Sequence, residues 1–271
     1  MQKTQLKRIA EGREAEIFAW ENGAVLKLYR YAEALPQLEA EEAAMTAAKA
    51  ANAPAPTALG RTEIDGRPGL IMERIDGIDM LTELGAKPWK IFSVGPAMAH
   101  AHVAMHATIA PPTLPVLKQA LPERLRRSPL VPPDIRDFAL ESLAGLPDGD
   151  RLCHGDFHPA NIIMAAQGPV VIDWPNSVRG DPHADIARTL LMMRMGELPE
   201  GSPRLIRLLE GIGRKIILAR YLATYRKLSG LDDALLARWE VPIAAHRLGD
   251  NIPEERERLM ALVRARMPGG A

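Results

Sequence analysis

Hydrophobic and polar positions change their rhythm once along this chain, close to Asp76. Before that point the pattern is mainly one of strands. Gln5 to Ala10 alternates polar and apolar residues as a half-buried strand does, Glu11-Gly12-Arg13 turns the chain, and Ala15 to Trp20 reads as a second strand. Glu21-Asn22-Gly23 is a strong hairpin signal, because Asn-Gly tolerates the positive φ angles of a type I′ turn, and Ala24 to Tyr29 returns as a third strand. Ala32 to Ala51 is rich in the strong helix formers Ala, Glu, Leu and Met, and Pro54 and Pro56 stop it. Thr57 to Thr62 and Leu70 to Ile75 supply two more strands around the Asp65-Gly66 turn.

From Asp79 the apolar residues fall at helical spacing. Helices are expected over Phe92 to Ala107, Asp134 to Gly145, Leu205 to Leu228, Asp232 to Arg247 and Glu254 to Met267, with a proline-rich connection between Pro111 and Pro133. One β-hairpin interrupts them, Ile162 to Met164 and Pro169 to Ile172 about the Gln167-Gly168 turn. The prediction is an α+β protein of two lobes, residues 1–76 with a five-stranded antiparallel sheet and residues 77–271 mainly helical.

Composition narrows the function without naming it. A 47% hydrophobic share is ordinary for a packed globular chain, and a formal net charge of zero argues against a nucleic-acid binder working through a basic face. Cys153 is the single cysteine, so no intramolecular disulfide can form, which fits a reducing cytoplasm. The first residues lack the apolar core of a signal peptide, and no apolar run approaches the ~18 residues of a membrane span. The expectation is a soluble cytoplasmic protein. No glycine-rich P-loop with its Gly-Lys-Ser/Thr ending occurs.

The chemistry gathers around Leu152-Cys-His-Gly-Asp-Phe-His-Pro-Ala-Asn-Ile-Ile163 and Val171-Ile-Asp-Trp174. These stretches flank the hairpin and bring Asp156, Asn161 and Asp173 to one end of it, a set of oxygen ligands suited to a hard cation such as Mg²⁺. In the first lobe, Lys27 sits in an apolar Val-Leu-Lys-Leu run, where a buried ammonium needs a partner. Glu39, Glu41 and Glu42 are the candidates. Glu41 shares a helix face with Met45 and Ala48, and is preferred, with Glu42 next.

The wording His-Gly-Asp-x-x-x-x-Asn followed by Ile-Asp-Trp resembles the aminoglycoside phosphotransferase and choline kinase-like family, and with it the catalytic loop and metal turn of kinases. The resemblance implies a bilobal protein kinase-like fold and ATP-dependent phosphorylation of a small-molecule hydroxyl. It makes Asp156 the catalytic base, Asn161 and Asp173 the Mg²⁺ ligands, and Lys27 the phosphate-binding lysine paired with Glu41. It also puts Gly12 in the nucleotide-covering loop, the adenine edge against the backbone near Glu73 to Ile75, and Val25, Ile163 and Ile172 around the adenine ring.

Three further features bear on substrate and scaffold. Arg179-Gly-Asp-Pro-His-Ala-Asp-Ile-Ala187 resembles the family's Gly-Asp-Pro-x-x-Asp element, with Asp185 placed to brace the catalytic loop and His183 a candidate to face the acceptor. His102 and His106 stand at i and i+4, a spacing that can present two metal ligands, but without the Glu of a His-Glu-x-x-His motif they read as hydrogen-bonded structural groups. After Pro175 the chain carries sixteen Lys or Arg against twelve Asp or Glu, so the acceptor is expected not to be a polycation, although Asp232, Asp233 or Asp250 could line the cleft. The alternatives are an aminoglycoside-type resistance kinase, a protein kinase, or a nucleotide-binding pseudokinase. The eleven residues between Asp173 and Asp185 favour a small acceptor over a protein.

Overall fold

The computed structural model of the protein describes residues 6–196 and 204–269, with the backbone alone for 204–210. The first lobe is an antiparallel sheet of β1 (Arg8–Glu11), β2 (Ala15–Ala19), β3 (Ala24–Tyr29), β4 (Ala58–Ile64) and β5 (Arg67–Glu73), in the order β1-β2-β3-β5-β4. Gln5, where the first strand was expected to start, lies outside the described residues. Asn22 and Gly23 take φ angles of 55° and 74°, the left-handed pair that an Asn-Gly hairpin turn requires.

Alternation along β3 separates two jobs. Leu26 and Leu28 pack with Phe18 and Ile64 in a small cluster on one face. Val25, Lys27 and Tyr29 take the other face, against which α1 (Leu35–Ala50) lies. Glu41, Met45 and Ala48 of α1 are all buried, as their i, i+4, i+7 spacing predicts.

The second lobe holds a small sheet, β6 (Gly77–Asp79), β8 (Ile162–Ala165) and β9 (Gly168–Val171), and a separate pair, β7 (Arg151–Cys153) with β10 (Val178–Gly180). The hairpin β8–β9 stands where the sequence puts it. β6, β7 and β10 have three residues each, too few to show a period of two. The helices are α2 (Met80–Ala86), α3 (Ile91–His106), α4 (Leu117–Arg127), α5 (Pro133–Ala144), α6 (Pro182–Met195), α7 (Arg204–Ser229), α8 (Asp233–Leu248) and α9 (Pro253–Arg264). The supposed connection between Pro111 and Pro133 therefore contains a helix, α4. Proline density hid it, while Leu121 and Leu125 at i and i+4 bury its inner stripe.

α3 and α7 form the closest helix pair. A Cβ on Gly95 of α3 would lie 2.4 Å from the Ile217 carbonyl oxygen of α7, so glycine is what lets the two backbones meet. One continuous core runs from Tyr29, Leu38 and Leu70 through Phe157 and Trp174 to Trp239. The molecule is thus a bilobal protein kinase-like fold.

Candidate active site

Residues 154–161 leave β7 and reach β8 as a loop gripped from one side by α6. Gly155 takes φ 76°, and a Cβ there would meet the Asn176 carbonyl oxygen at 2.4 Å, so no side chain fits. The N–H groups of His154 and Gly155 donate to the two carboxylate oxygens of Asp185 at 2.6 and 2.8 Å. Arg188 Nε donates to the Gly155 carbonyl, and Thr189 Oγ1 donates to that of Phe157 at 3.0 Å. Asp185, Arg188 and Thr189 stand at i, i+3 and i+4, one face of α6 holding His154, Gly155 and Phe157 of the loop. Asp185 braces the loop as expected; Arg188 and Thr189 were missed, although their spacing from Asp185 was the available signal.

Below Asp185 lie His102 and His106 of α3. Their Nε2–H groups donate to Asp185 Oδ2 at 3.1 and 3.2 Å, while each Nδ1 accepts from a tyrosine hydroxyl of α7, Tyr221 at 2.7 Å and Tyr225 at 2.8 Å. Burial, followed by the neighbouring His106, pushes His102 down to about 3 and keeps it neutral. Burial alone would raise Asp185, but the bonds from the two imidazoles hold it well below the usual carboxylate range. Two imidazoles and two backbone N–H groups saturate this carboxylate. Two His and one Asp side chain are close enough together to suggest a metal. Each of the three side chains is hydrogen-bonded within this brace, which is the structural role expected of the histidines.

The reactive side chains face one another across the lobes. Lys27 is 6% exposed, and its Nζ lies 2.7 Å from Glu41 Oε1 and 2.6 Å from Asp173 Oδ1. Burial pulls this ammonium down, but the two carboxylates outweigh it and hold Lys27 above its ordinary value. Glu41 is fully satisfied, since Oε1 also accepts from the Trp174 N–H at 3.0 Å and Oε2 accepts from the Tyr29 hydroxyl. Glu39 and Glu42 instead pair with Arg61 at the surface. Asp173 ends the hairpin in a left-handed conformation, φ 66°, and leaves its side chain 46% exposed to the cleft.

On the loop side, Asn161 Nδ2 donates to Asp156 through the backbone oxygen at 2.9 Å and Oδ2 at 3.2 Å, which leaves the amide oxygen turned away from Asp156. Burial would raise Asp156, yet His158, 3.7 Å away, and the Arg188 guanidinium lower it to about 2. His154 donates from Nε2 to the Ile172 carbonyl at 3.1 Å and accepts from the Asp156 N–H at Nδ1, which ties the loop to the hairpin strand carrying Asp173. Burial depresses this ring too, in keeping with the neutral form that both bonds need.

The residues nominated from sequence for the base, the metal and the nucleotide line a single cleft of about 1530 Å³, including Gly12, Val25, Glu73, Ile75, Ile163 and Ile172. Gly12 is not conformationally obliged, because an added Cβ would only touch the Ala15 carbonyl at 3.5 Å. Glu73 turns its carboxylate to Thr57 and Lys49, and its N–H donates to the Thr57 carbonyl at 2.9 Å. Ile75 lies two residues on, in the connection between β5 and β6. Met72, paired with Val25 across the sheet, also lines the cleft and was not foreseen.

One expectation fails and one holds in part. His183 does not reach the cleft: its Nδ1 sits 2.7 Å from Asp181 Oδ1, and its Nε2 accepts from the Asp232 N–H. Its place in the first turn of α6 points it toward its own cap instead. Of the acidic candidates, Asp232 caps α8 and Asp233 pairs with Arg226, leaving Asp250 alone of the three at the cleft.

Comparison with known proteins agrees with this fold. The crystal structure of the aminoglycoside phosphotransferase APH(4)-Ia matches with a TM-score of 0.68 at 16% identity, over 97% of this chain and 94% of that one. The amicoumacin kinase hAmiN matches with a TM-score of 0.64 at 15% identity, over 98% and 88%. A putative fructosamine-3-kinase from Haemophilus somnus matches with a TM-score of 0.64 at 14% identity, over 97% and 91%. A search of curated proteins returned no match. At these identities the likeness is one of fold. The sequence model of the phosphotransferase enzyme family matches residues 5–231, and the chain belongs to that family.

Proposed function

We propose that the protein transfers the γ-phosphoryl group of ATP to a hydroxyl of a small molecule, using Mg²⁺. One observation carries the reading: a buried ammonium, a carboxylate placed to take a proton and two further oxygen donors share one cleft, with Lys27 Nζ 2.6 Å from Asp173. The donor set fits a hard divalent cation, because the half-exposed Asp173 carboxylate and the Asn161 amide oxygen are both oxygen ligands. Such an ion, when bound, neutralises charge on the phosphate oxygens.

The chain's own residues do the rest. Lys27, oriented by Glu41, binds phosphate oxygens from above; Gly12 and its turn cover them. Val25, Ile163 and Ile172 enclose the adenine ring, and the backbone near Ile75 meets its edge. Asp156 accepts the hydroxyl proton as the acceptor oxygen bonds to the γ-phosphorus and the bond to the β-phosphate oxygen breaks, releasing ADP. With little covalent work for the protein, positioning supplies most of the acceleration. We set the boundary between the nucleotide lobe and the acceptor lobe at Asp76. The reading places the protein in the cytoplasm, where ATP and a reduced Cys153 are both expected; none of the described helices is long and apolar enough to cross a membrane.

A second reading is an antibiotic kinase of aminoglycoside type, favoured by the likeness to APH(4)-Ia, which has been seen in a ternary complex with AMP-PNP and hygromycin B. The decisive measurement is nucleotide binding against Mg²⁺ concentration, followed by ADP release across amino alcohols, sugars, antibiotics and phosphorylated metabolites. Mg²⁺-dependent ATP binding with acceptor-dependent ADP release is expected. ATP binding that ignores Mg²⁺, or ADP release that ignores every acceptor class, would overturn the reading.

A further inference from the structure

The cleft is larger than the ~300–1,000 Å³ that holds one drug-sized ligand, and its lining continues past Asp156 onto helices of the second lobe. The side chains there are of two kinds. Leu81 and Leu84 of α2, Met192 and Met193 of α6, Ile217 of α7 and Ile252 before α9 make an apolar wall drawn from four regions of the chain. The charged groups beside them are already engaged. Arg188 donates to Asp250 at 2.9 Å and to the Gly155 carbonyl. Arg247 holds Glu255 through two bonds of 2.6 and 2.7 Å, with Asp250 3.5 Å away. Arg214 donates to the Gly196 carbonyl.

Asp250 and Glu255 are thus paired with Arg188 and Arg247 within this wall. An amine seeking Asp250 or Glu255 must separate a pair that is mostly buried, and doing so leaves an arginine without its carboxylate, an expensive exchange. An anion seeking Arg188 or Arg247 meets the same obstacle from the other side. What the wall offers freely is apolar surface. Part of the basic charge after Pro175 is held in pairs whose members do not line the cleft: Arg226 pairs with Asp233, Arg194 and Arg266 with Glu240, and Arg264 with Asp134.

We infer that the acceptor is an uncharged hydroxyl compound with an apolar body, its hydroxyl held at Asp156 and its body against the Leu81–Met193–Ile217 wall. This rests on the phosphotransferase reading for the meaning of "acceptor", but the wall's preference can be measured by itself.

The test is calorimetric titration of the full chain with four probes, each with and without AMP-PNP and Mg²⁺. They are octyl glucoside below its micelle concentration, glucose, glucose 6-phosphate and kanamycin. Octyl glucoside is expected to bind about tenfold or more tighter than glucose, since only its chain adds buried apolar area. Kanamycin and glucose 6-phosphate are expected to bind no better than glucose. A Leu81→Asp variant, made at a position 56% exposed and tolerant of change, is expected to lose most of the octyl glucoside advantage. Tighter binding of kanamycin or the phosphate ester, octyl glucoside no better than glucose, or an advantage untouched by Leu81→Asp would each overturn the inference. Failure of AMP-PNP to bind would strike the phosphotransferase reading alone, because the titrations without nucleotide still report the wall.

Discussion

Two halves of one cleft are built on opposite plans. Toward the first lobe, the charged groups meet across the lobes and one of them opens on the cleft: Lys27 is held between Glu41 and Asp173, with Asp173 half exposed. Toward the helical lobe, charges are neutralised within the wall itself, Arg188 with Asp250 and Arg247 with Glu255. The first plan suits a ligand that is always the same and always highly charged. The second leaves recognition to shape and apolar contact, which can vary while the catalytic loop stays fixed. The two halves meet at α6, where Asp185, Arg188 and Thr189 hold the loop and Met192 and Met193, on the following turn, line the apolar wall of the cleft.

The sharpest way to separate the halves is at their junction. Asp156→Asn is expected to lower single-turnover transfer by about 10³-fold while ATP affinity changes by less than about threefold, since a base acts on the acceptor proton and not on the nucleotide. Near-native transfer in the variant would remove Asp156 from that role. Asp173→Ala should do the reverse, weakening Mg²⁺-dependent ATP binding by about 1–3 kcal/mol, with Asn161→Ala affected less because an amide brings a dipole and no charge. Unchanged Mg²⁺ midpoints in both variants would put the metal elsewhere.

The same contrast explains what could be read before any coordinates. Asp156, Asn161 and Asp173 were readable because a single hairpin and its flanking loop carry them, so spacing along the chain becomes spacing in the cleft. Glu41 was readable because a buried Lys27 demands a carboxylate and only one helix face points inward. The apolar wall was not readable. Its leucines, methionines and isoleucines are the residue types of any core, and Arg188 meets Asp250 across sixty-two positions with no local pattern to announce it. Net charge over the last third of the chain says little about the cleft for a related reason: part of that charge is held in surface pairs such as Arg226–Asp233. His183 misled because proximity in sequence to Asp185 does not survive one turn of helix.

A third prediction concerns the brace beneath the loop. Asp185→Ala removes the shared acceptor of two buried imidazoles and two backbone N–H groups, and should destabilise the protein by about 3 kcal/mol, with a lower urea midpoint and little change in slope. Double substitution with His102→Ala should cost less than the sum of the two single changes, because the pair shares one network. Strict additivity would mean that the histidines and the carboxylate act separately.

The smallest expected effect is an absence. Asp156 is lowered from its usual 3.8 to about 2 by His158 and Arg188 against the opposing influence of burial. A carboxylate lowered in the folded state adds stability above its unfolded pKa, and that contribution is lost as pH falls through the folded value. The relevant window therefore lies between about pH 4 and pH 2, and at any higher pH the base is already ionised. Between pH 5.5 and 8.5 the rate of the chemical step should owe no acid limb to Asp156, unlike an enzyme whose base is tuned near neutrality. A pH profile of single-turnover transfer, with nucleotide saturating at each point, checks this. An acid limb in that range would mean that bound phosphates raise the carboxylate's affinity for its proton, tying the acceptor half of the cleft electrostatically to the nucleotide half. A flat profile would leave the two halves coupled through the α6 grip on the loop and not through charge.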